Sequence, residues 1–253
     1  MKKKINMVGL LSTKNEEYLI EEVLSKNEKY FDSIYVIDGS TDNTPEILKK
    51  FDKVKKIILE KDLNVGTIND GVRAYVLEEI KRNESIGDTW VTLMHGDEVY
   101  YHDPIKVVED AELEGANGVD WYTMHFFLHT TDKEKWDEIS KLPVEERLTW
   151  YATNELPMVE FRQFKLQEQS TYNQSIHGFL EPLGVNNKYS KHPIYKHFKS
   201  YDPNVSLDTK NRWGRQWESI FVDKHLDNCG NFSHAHKFDG TFGSFEIGLE
   251  HLK

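Results

Sequence analysis

Four consecutive residues, His95-Gly96-Asp97-Glu98, follow a β-rich run at residues 89–94 (TWVTLM) and concentrate more chemistry than any other stretch. An imidazole and two carboxylates are the borderline-to-hard donors that hold Mg²⁺ or Mn²⁺ against a phosphate. Gly96 among them leaves room for a ligand to approach the backbone. Taken alone, a Gly-Asp-Glu triplet is more often a solvated turn, so its surroundings must decide. Three earlier strand ends supply those surroundings. Ser12, Thr13, Asn15 and Glu16 follow the first apolar run, Asp38 closes the second in IYVIDGSTDNT, and Asn64 and Arg73 lie in KDLNVGTINDGVR after the third. A carboxylate such as Asp38 accepts from a base N–H or a ribose hydroxyl, or else caps its own turn. Arg73 is a cation for a phosphate or carboxylate, or a solvated arginine.

These groups need a scaffold that gathers strand ends. Apolar runs at residues 5–12, 33–38, 55–60 and 89–94 read as buried strands. Between them lie helical stripes: Leu19, Ile20, Val23 and Leu24 within 15–30; Ile47, Leu48 and Phe51 after Thr44-Pro45-Glu46; and Ile68 to Ile80. A helix at 104–113, a strand at 119–129, a helix around 144–151 and a strand at 159–165 follow, and the remainder reads as irregular. Strands alternating with helices of this length make βαβ units and a mainly parallel, Rossmann-like sheet flanked by helices. Such sheets bind ligands at the carboxyl ends of their strands.

The chain of 253 residues is long enough for a substantial core in one compact domain. Its net charge of −11 argues against nucleic acid as a partner. A nucleotide ligand would therefore need local positive charge. At ~4 Å and an effective dielectric of ~20, a unit charge pair is worth about 4 kcal/mol, so one divalent cation reverses a repulsive site. No apolar run approaches the ~18–20 residues of a membrane span, although peripheral membrane contact stays open. The basic start MKKK leads through a short apolar run into KNEE and reads as a first strand, not a signal peptide. Cys229 is the only cysteine, which fits a reducing compartment and a cytoplasmic location.

The order STKNEE, IYVIDGSTDNT, NVGTINDGVR and then a Gly-Asp-Glu at the next strand end resembles the family-2 glycosyltransferases of GT-A fold over roughly the first 130 residues. The resemblance implies a nucleoside diphosphate sugar donor with Asp38 reading the base, usually uracil, and Thr13, Asn15 and Glu16 lining the nucleoside pocket. It also implies a divalent metal on an Asp-x-Asp motif. Here His95 stands at the first Asp position and Asp97 at the second. Further on, VEFRQFK, SIHGFLEP and IYKHFKSY resemble the bacterial lipopolysaccharide-core transferases of the same family. Arg162, Lys165, His177 and His197 match, while Gly178 replaces an acid. The division implied is a nucleotide-sugar half at 1–103, an acceptor-side half at 104–205 and a C-terminal extension at 206–253.

The expected reaction is a metal-dependent, inverting transfer from a UDP-sugar to a saccharide, lipid-linked or protein acceptor. It needs a base, a cation for the leaving diphosphate and a cleft that excludes water. Asp97 with His197 and His95 are the metal-ligand candidates. Lys196, Arg212 and Arg215 could add positive charge, and Glu181, His177 and Glu160 are the bases in order of preference. Trp121 and Tyr122 are candidates to stack on an acceptor sugar. Two other classes stay open: a sugar-phosphate nucleotidyltransferase, disfavoured because STKNEE is not its Gly-rich basic signature, and a silent nucleotide-sugar-binding module, kept open by His95 and Gly178.

Overall fold

The computed structural model describes residues 4–63, 72–153, 158–172, 181–198, 224–226 and 232–239. In chain order the first elements are β1 (Asn6–Thr13), α1 (Ile20–Asn27), β2 (Ser33–Asp38), α2 (Thr44–Leu48) and β3 (Val54–Leu59). Then come α3 (Val72–Asn83), β4 (Thr89–His95), β5 (Glu98–Tyr100), α4 (Pro104–Leu113) and β6 (Gly118–Phe127). The rest are α5 (Trp136–Ile139), α6 (Val144–Arg147), β7 (Trp150–Thr153), β8 (Met158–Lys165), β9 (Ile194–Phe198), β10 (Lys224–Leu226) and β11 (Phe232–Lys237). The chain divides into two compact units, Met1–Thr123 with Val159–Lys196, and Met124–Met158 with His197–Lys253.

In the first unit four parallel strands stand in the order β4-β1-β2-β3, and β8 adds antiparallel on the far side of β4. This is the mixed α/β, mainly parallel sheet of a Rossmann-like GT-A fold. Alternation along β1 gives each face its own core. Met7 and Leu11 join Ile20 and Leu24 of α1, Ile47 and Leu48 of α2, and Val107 and Val108 of α4. Val8 and Leu10 join Val72, Val76, Leu77 and Ile80 of α3. The period of two along a strand thus places helices on both faces. Asp103 caps α4, accepting from the N–H groups of Ile105 at 2.9 Å and Lys106 at 3.3 Å, with Pro104 in the first turn.

The second unit is an antiparallel set in the order β10-β11-β7, with β7 pairing the end of β6. Phe126 packs there against Tyr151 and Phe238. Three expectations change. The helix expected over 15–30 begins only at Ile20, because Asn15 takes φ 55° and feeds a turn, and it closes in a 3₁₀ turn, Glu28–Tyr30. The helix expected around 144–151 stops at Arg147, since Trp150 and Tyr151 pair with Phe127 and Phe126 as a strand. The stretch IYKHF, within the region read as irregular, is β9, paired with β5 and β6. Among the described residues no helix is long and apolar enough to cross a membrane.

Candidate functional site

The chain leaves β1 for β2 and β3 on one side, then crosses back to β4 on the other. In sheets of this kind the point of reversal, here the carboxyl ends of β1 and β4, is where a ligand crevice lies. Strand register fills it: Ser12 lies opposite His95 and Thr13 opposite Asp38. Residues 25 and 83 positions apart in sequence therefore share one row.

Asp38 is 2% exposed and hydrogen-bonded through both carboxylate oxygens. Its Oδ1 accepts from the hydroxyls of Thr13 at 2.7 Å and Ser40 at 2.6 Å, and its Oδ2 accepts from the Ser40 N–H at 3.2 Å. The same turn is stitched to the loop after β1. The Asn15 N–H donates to Ser40 Oγ at 2.8 Å, and Asn15 Oδ1 accepts from the Thr41 N–H at 2.8 Å. The Glu16 N–H donates to Thr44 Oγ1 at 2.9 Å, and the Glu17 N–H to Asp42 at 3.2 Å. The turn-capping role of Asp38 is thus present. It makes the STKNEE and DGSTDNT segments one rigid rim on the crevice.

His95, Asp97 and Glu98 each offer a donor atom within 4.8 Å of the others. The donor set, one imidazole and two carboxylates, fits Mn²⁺ or Mg²⁺. His95 Nδ1 lies 2.9 Å from Glu98 Oε1, and the His95 backbone N–H donates to Glu98 Oε2 at 3.2 Å. His95 Nε2 lies 2.6 Å from Arg73 Nη2, while Arg73 Nε donates to Ser12 Oγ at 3.4 Å. Burial, reinforced by the Arg162 and Arg73 charges, pushes the His95 imidazole below its usual range despite Glu98. A neutral ring flanked by a guanidinium and a carboxylate has one consistent tautomer, with the proton on Nδ1 toward Glu98 and the lone pair on Nε2 toward Arg73. At Gly96 an added Cβ would fall on the Glu16 carboxylate and come within 2.9 Å of Ile20 Cδ1, so any larger residue where β4 turns beneath the first loop must push both side chains aside.

Behind this group sits a buried polar cluster. Arg162, 1% exposed, donates through Nη2 to Glu98 Oε1 at 2.8 Å and to Glu160 and Tyr195, and its guanidinium lies 4.6 Å from the Tyr195 ring. Burial disfavours that charge, but Glu98, Tyr195 and Glu160 outweigh it and hold the guanidinium protonated. Tyr195 donates its proton to Glu160, so the Thr123 hydroxyl donates to Tyr195 in turn. Asn27 at the end of α1 clamps the backbone of β5 by donating to the Glu98 carbonyl at 2.7 Å. The sequence offers Glu160 as a candidate base, and the resemblance singles out Arg162. Tyr195, Thr123 and Asn27 carried no signal of their own.

Glu181 is ion-paired with Lys188, which also holds Asp120 at 3.0 Å. Glu160 is 4% exposed and bound by Arg162 and Tyr195. Lys196 lies on β9 in the first unit. His197 belongs to the second unit, where its ring stands 5.1 Å from that of His125. Trp121 and Tyr122, at 0% and 2% exposure, are packed away from any sugar, with Trp121 against Tyr100 and hydrogen-bonded to Gln163 at 2.9 Å. Asn64, His177, Arg212 and Arg215 lie outside the described residues.

The model of glycosyl transferase family 2 matches residues 10–176, roughly two thirds of the chain and the whole row from Ser12 to Arg162. The chain belongs to glycosyl transferase family 2. No curated protein matches it. Among solved structures it is similar to 4-diphosphocytidyl-2C-methyl-D-erythritol synthase from Anaerococcus prevotii, at 10% identity and TM-score 0.37, over 64% of this chain and 71% of that one. It is also similar to an rv0371c homolog from Mycobacterium sp. strain JC1, at 14% identity and TM-score 0.31, over 46% of this chain and 64% of that one. A second 4-diphosphocytidyl-2C-methyl-D-erythritol synthase matches at 11% identity and TM-score 0.36, over 64% and 75%. Superpositions this loose carry no functional argument.

Proposed function

We propose that this chain is a metal-dependent, inverting glycosyltransferase that moves a sugar from a nucleoside diphosphate donor, read as UDP, to an acceptor hydroxyl. The observation that supports it most is the row Ser12–His95 and Thr13–Asp38 at the reversal of strand order, with Arg73 spanning it. The rim formed by Thr13, Asn15, Glu16 and Asp38 takes the nucleoside. Asp38 contributes lone pairs fixed in direction by Thr13 and Ser40, so recognition needs little reorganisation.

His95, Asp97 and Glu98 are the residues that would hold the divalent cation, which when bound offsets the charge developing on the leaving diphosphate. Glu98 orients His95 through Nδ1, and Arg162 in turn orients Glu98. Arg73 supplies a second positive charge at the ends of β1 and β4. Glu160, consumed in its pair with Arg162, is a positioning group. Glu181 and His177 remain the candidates for the base, and substitution of the true one lowers kcat by about 10²–10⁴-fold while leaving nucleotide affinity intact. The acceptor, whether glycan, lipid-linked saccharide or protein, is to be found by screening.

The test is purified protein with UDP-sugars and Mn²⁺. Slow UDP release by hydrolysis, lost with a chelator and in Asp97→Ala, supports the proposal. Pyrophosphate from UTP with a sugar phosphate identifies a nucleotidyltransferase, and binding without turnover identifies a silent binding module; either overturns it.

A further inference from the structure

His95 is arranged like an imidazole in a carboxylate–histidine–metal relay. The Nδ1–H donates a hydrogen bond to Glu98, which fixes the tautomer and aims the Nε2 lone pair the other way. In a metal site that lone pair would point at the ion. Here it points at a guanidinium: Arg73 Nη2 stands 2.6 Å from His95 Nε2. Arg73 is 5% exposed, is carried on the first turn of α3, and is further tied to Ser12 at 3.4 Å. His95 is also one of the three residues that each offer a donor atom within 4.8 Å of the others. A lone pair that accepts an N–H cannot at the same time bind an ion.

We propose that Arg73 is a resident cation of the site, competing with the divalent ion for the Nε2 lone pair of His95. Loading the ion releases the guanidinium from His95 into the crevice, where it is free to meet a phosphate. A site that exchanges one cation for another stays charge-balanced when empty. It also makes ion binding weak until an anionic ligand takes up the released arginine. This inference rests on the reading of the crevice as a diphosphate site only for that last step; the competition itself stands on the geometry of Arg73 and His95.

The experiment is Mn²⁺ binding without nucleotide, measured by the paramagnetic resonance signal of free Mn²⁺, on wild type, Arg73→Met and Arg73→Lys. Competition predicts at least tenfold tighter Mn²⁺ in Arg73→Met and a smaller gain, threefold or more, in Arg73→Lys, which keeps the buried charge and guards against a folding defect. In a His95→Gln background the gain from Arg73→Met should shrink below twofold, because the contested atom is gone. Unchanged or weaker Mn²⁺ binding in both folded Arg73 variants overturns the proposal. So does a gain that survives His95→Gln, which would be a general effect of charge. UDP titrated afterwards in the presence of Mn²⁺ should bind at least tenfold more weakly to Arg73→Met. If Mn²⁺ binding responds as expected but UDP binds to neither protein, the competition holds and the diphosphate reading fails.

Discussion

A carboxylate can act on a ligand only with the lone pairs its neighbours leave it. Asp38 spends one oxygen on two hydroxyls and the other on a single backbone N–H, so a lone pair of Oδ2 remains for the crevice. Replacing it by alanine removes that acceptor and strands Thr13 and Ser40 in a buried place. Asp38→Ala should weaken UDP binding at least tenfold by calorimetry, with a smaller effect on kcat at saturation. Thermal denaturation should show a stability loss of about 1–3 kcal/mol. Asp97 differs, since it is half-buried at the crevice and its role is assigned to the ion. Asp97→Ala should lower turnover at least a hundredfold, roughly 3 kcal/mol in the barrier, and leave the urea midpoint close to wild type.

Elements set where such residues point. The turn from β4 into β5 passes so close to the loop after β1 that Gly96 has no room for a methyl group. Gly96→Ala should displace Glu16, cost about 1–3 kcal/mol of stability, and weaken nucleotide binding together with Mn²⁺ binding, since both meet at that turn. At the amino end of the sheet, Asp32 joins β1 to β2. It accepts from Lys4 at 2.6 Å and from the Met7 N–H at 3.1 Å. Partial burial works to raise its carboxyl, but Lys4 and the Met7 N–H prevail and hold it below the usual carboxylate value of 3.8. A depressed carboxyl stabilises the fold above its unfolded value, and that contribution disappears as pH falls through the folded one. Asp32→Asn should therefore cost under about 1 kcal/mol at neutral pH, as expected of a solvent-screened pair. The difference from wild type should shrink as pH falls below 3.8 and disappear once the folded carboxyl is protonated, which urea denaturation at several pH values will check.

For the first unit as a whole, Arg162 is the tie between β8, the β4–β5 turn and β9, through Glu160, Glu98 and Tyr195. Arg162→Met leaves two carboxylates buried without their cation and should destabilise the protein by about 3–5 kcal/mol. Arg162→Lys should recover only part of this, because an ammonium keeps the charge but loses the planar guanidinium's contact with the Tyr195 ring. Guanidinium-chloride denaturation of the two variants decides it.

What the sequence determined was the local part. Alternating apolar runs, helical stripes and the turn chemistry after Asp38 dictate β1 to β4 and their helices. Together they send Ser12, Thr13, Asp38 and His95 to strand ends. Where a pattern was ambiguous the structure decided. Residues 15–19 fall within a span expected to be helical, but hydrogen bonds to the turn after Asp38 keep them out of α1, and Trp150 and Tyr151 become a strand because β6 and β11 offer edges to pair with. The partners of the site residues were likewise settled by tertiary structure. Arg73 meets His95, and Arg162 joins Glu98 to Tyr195, because strand order and register bring distant segments side by side. Periodicity encodes which face a residue takes; it does not encode which residue of another element will stand against that face.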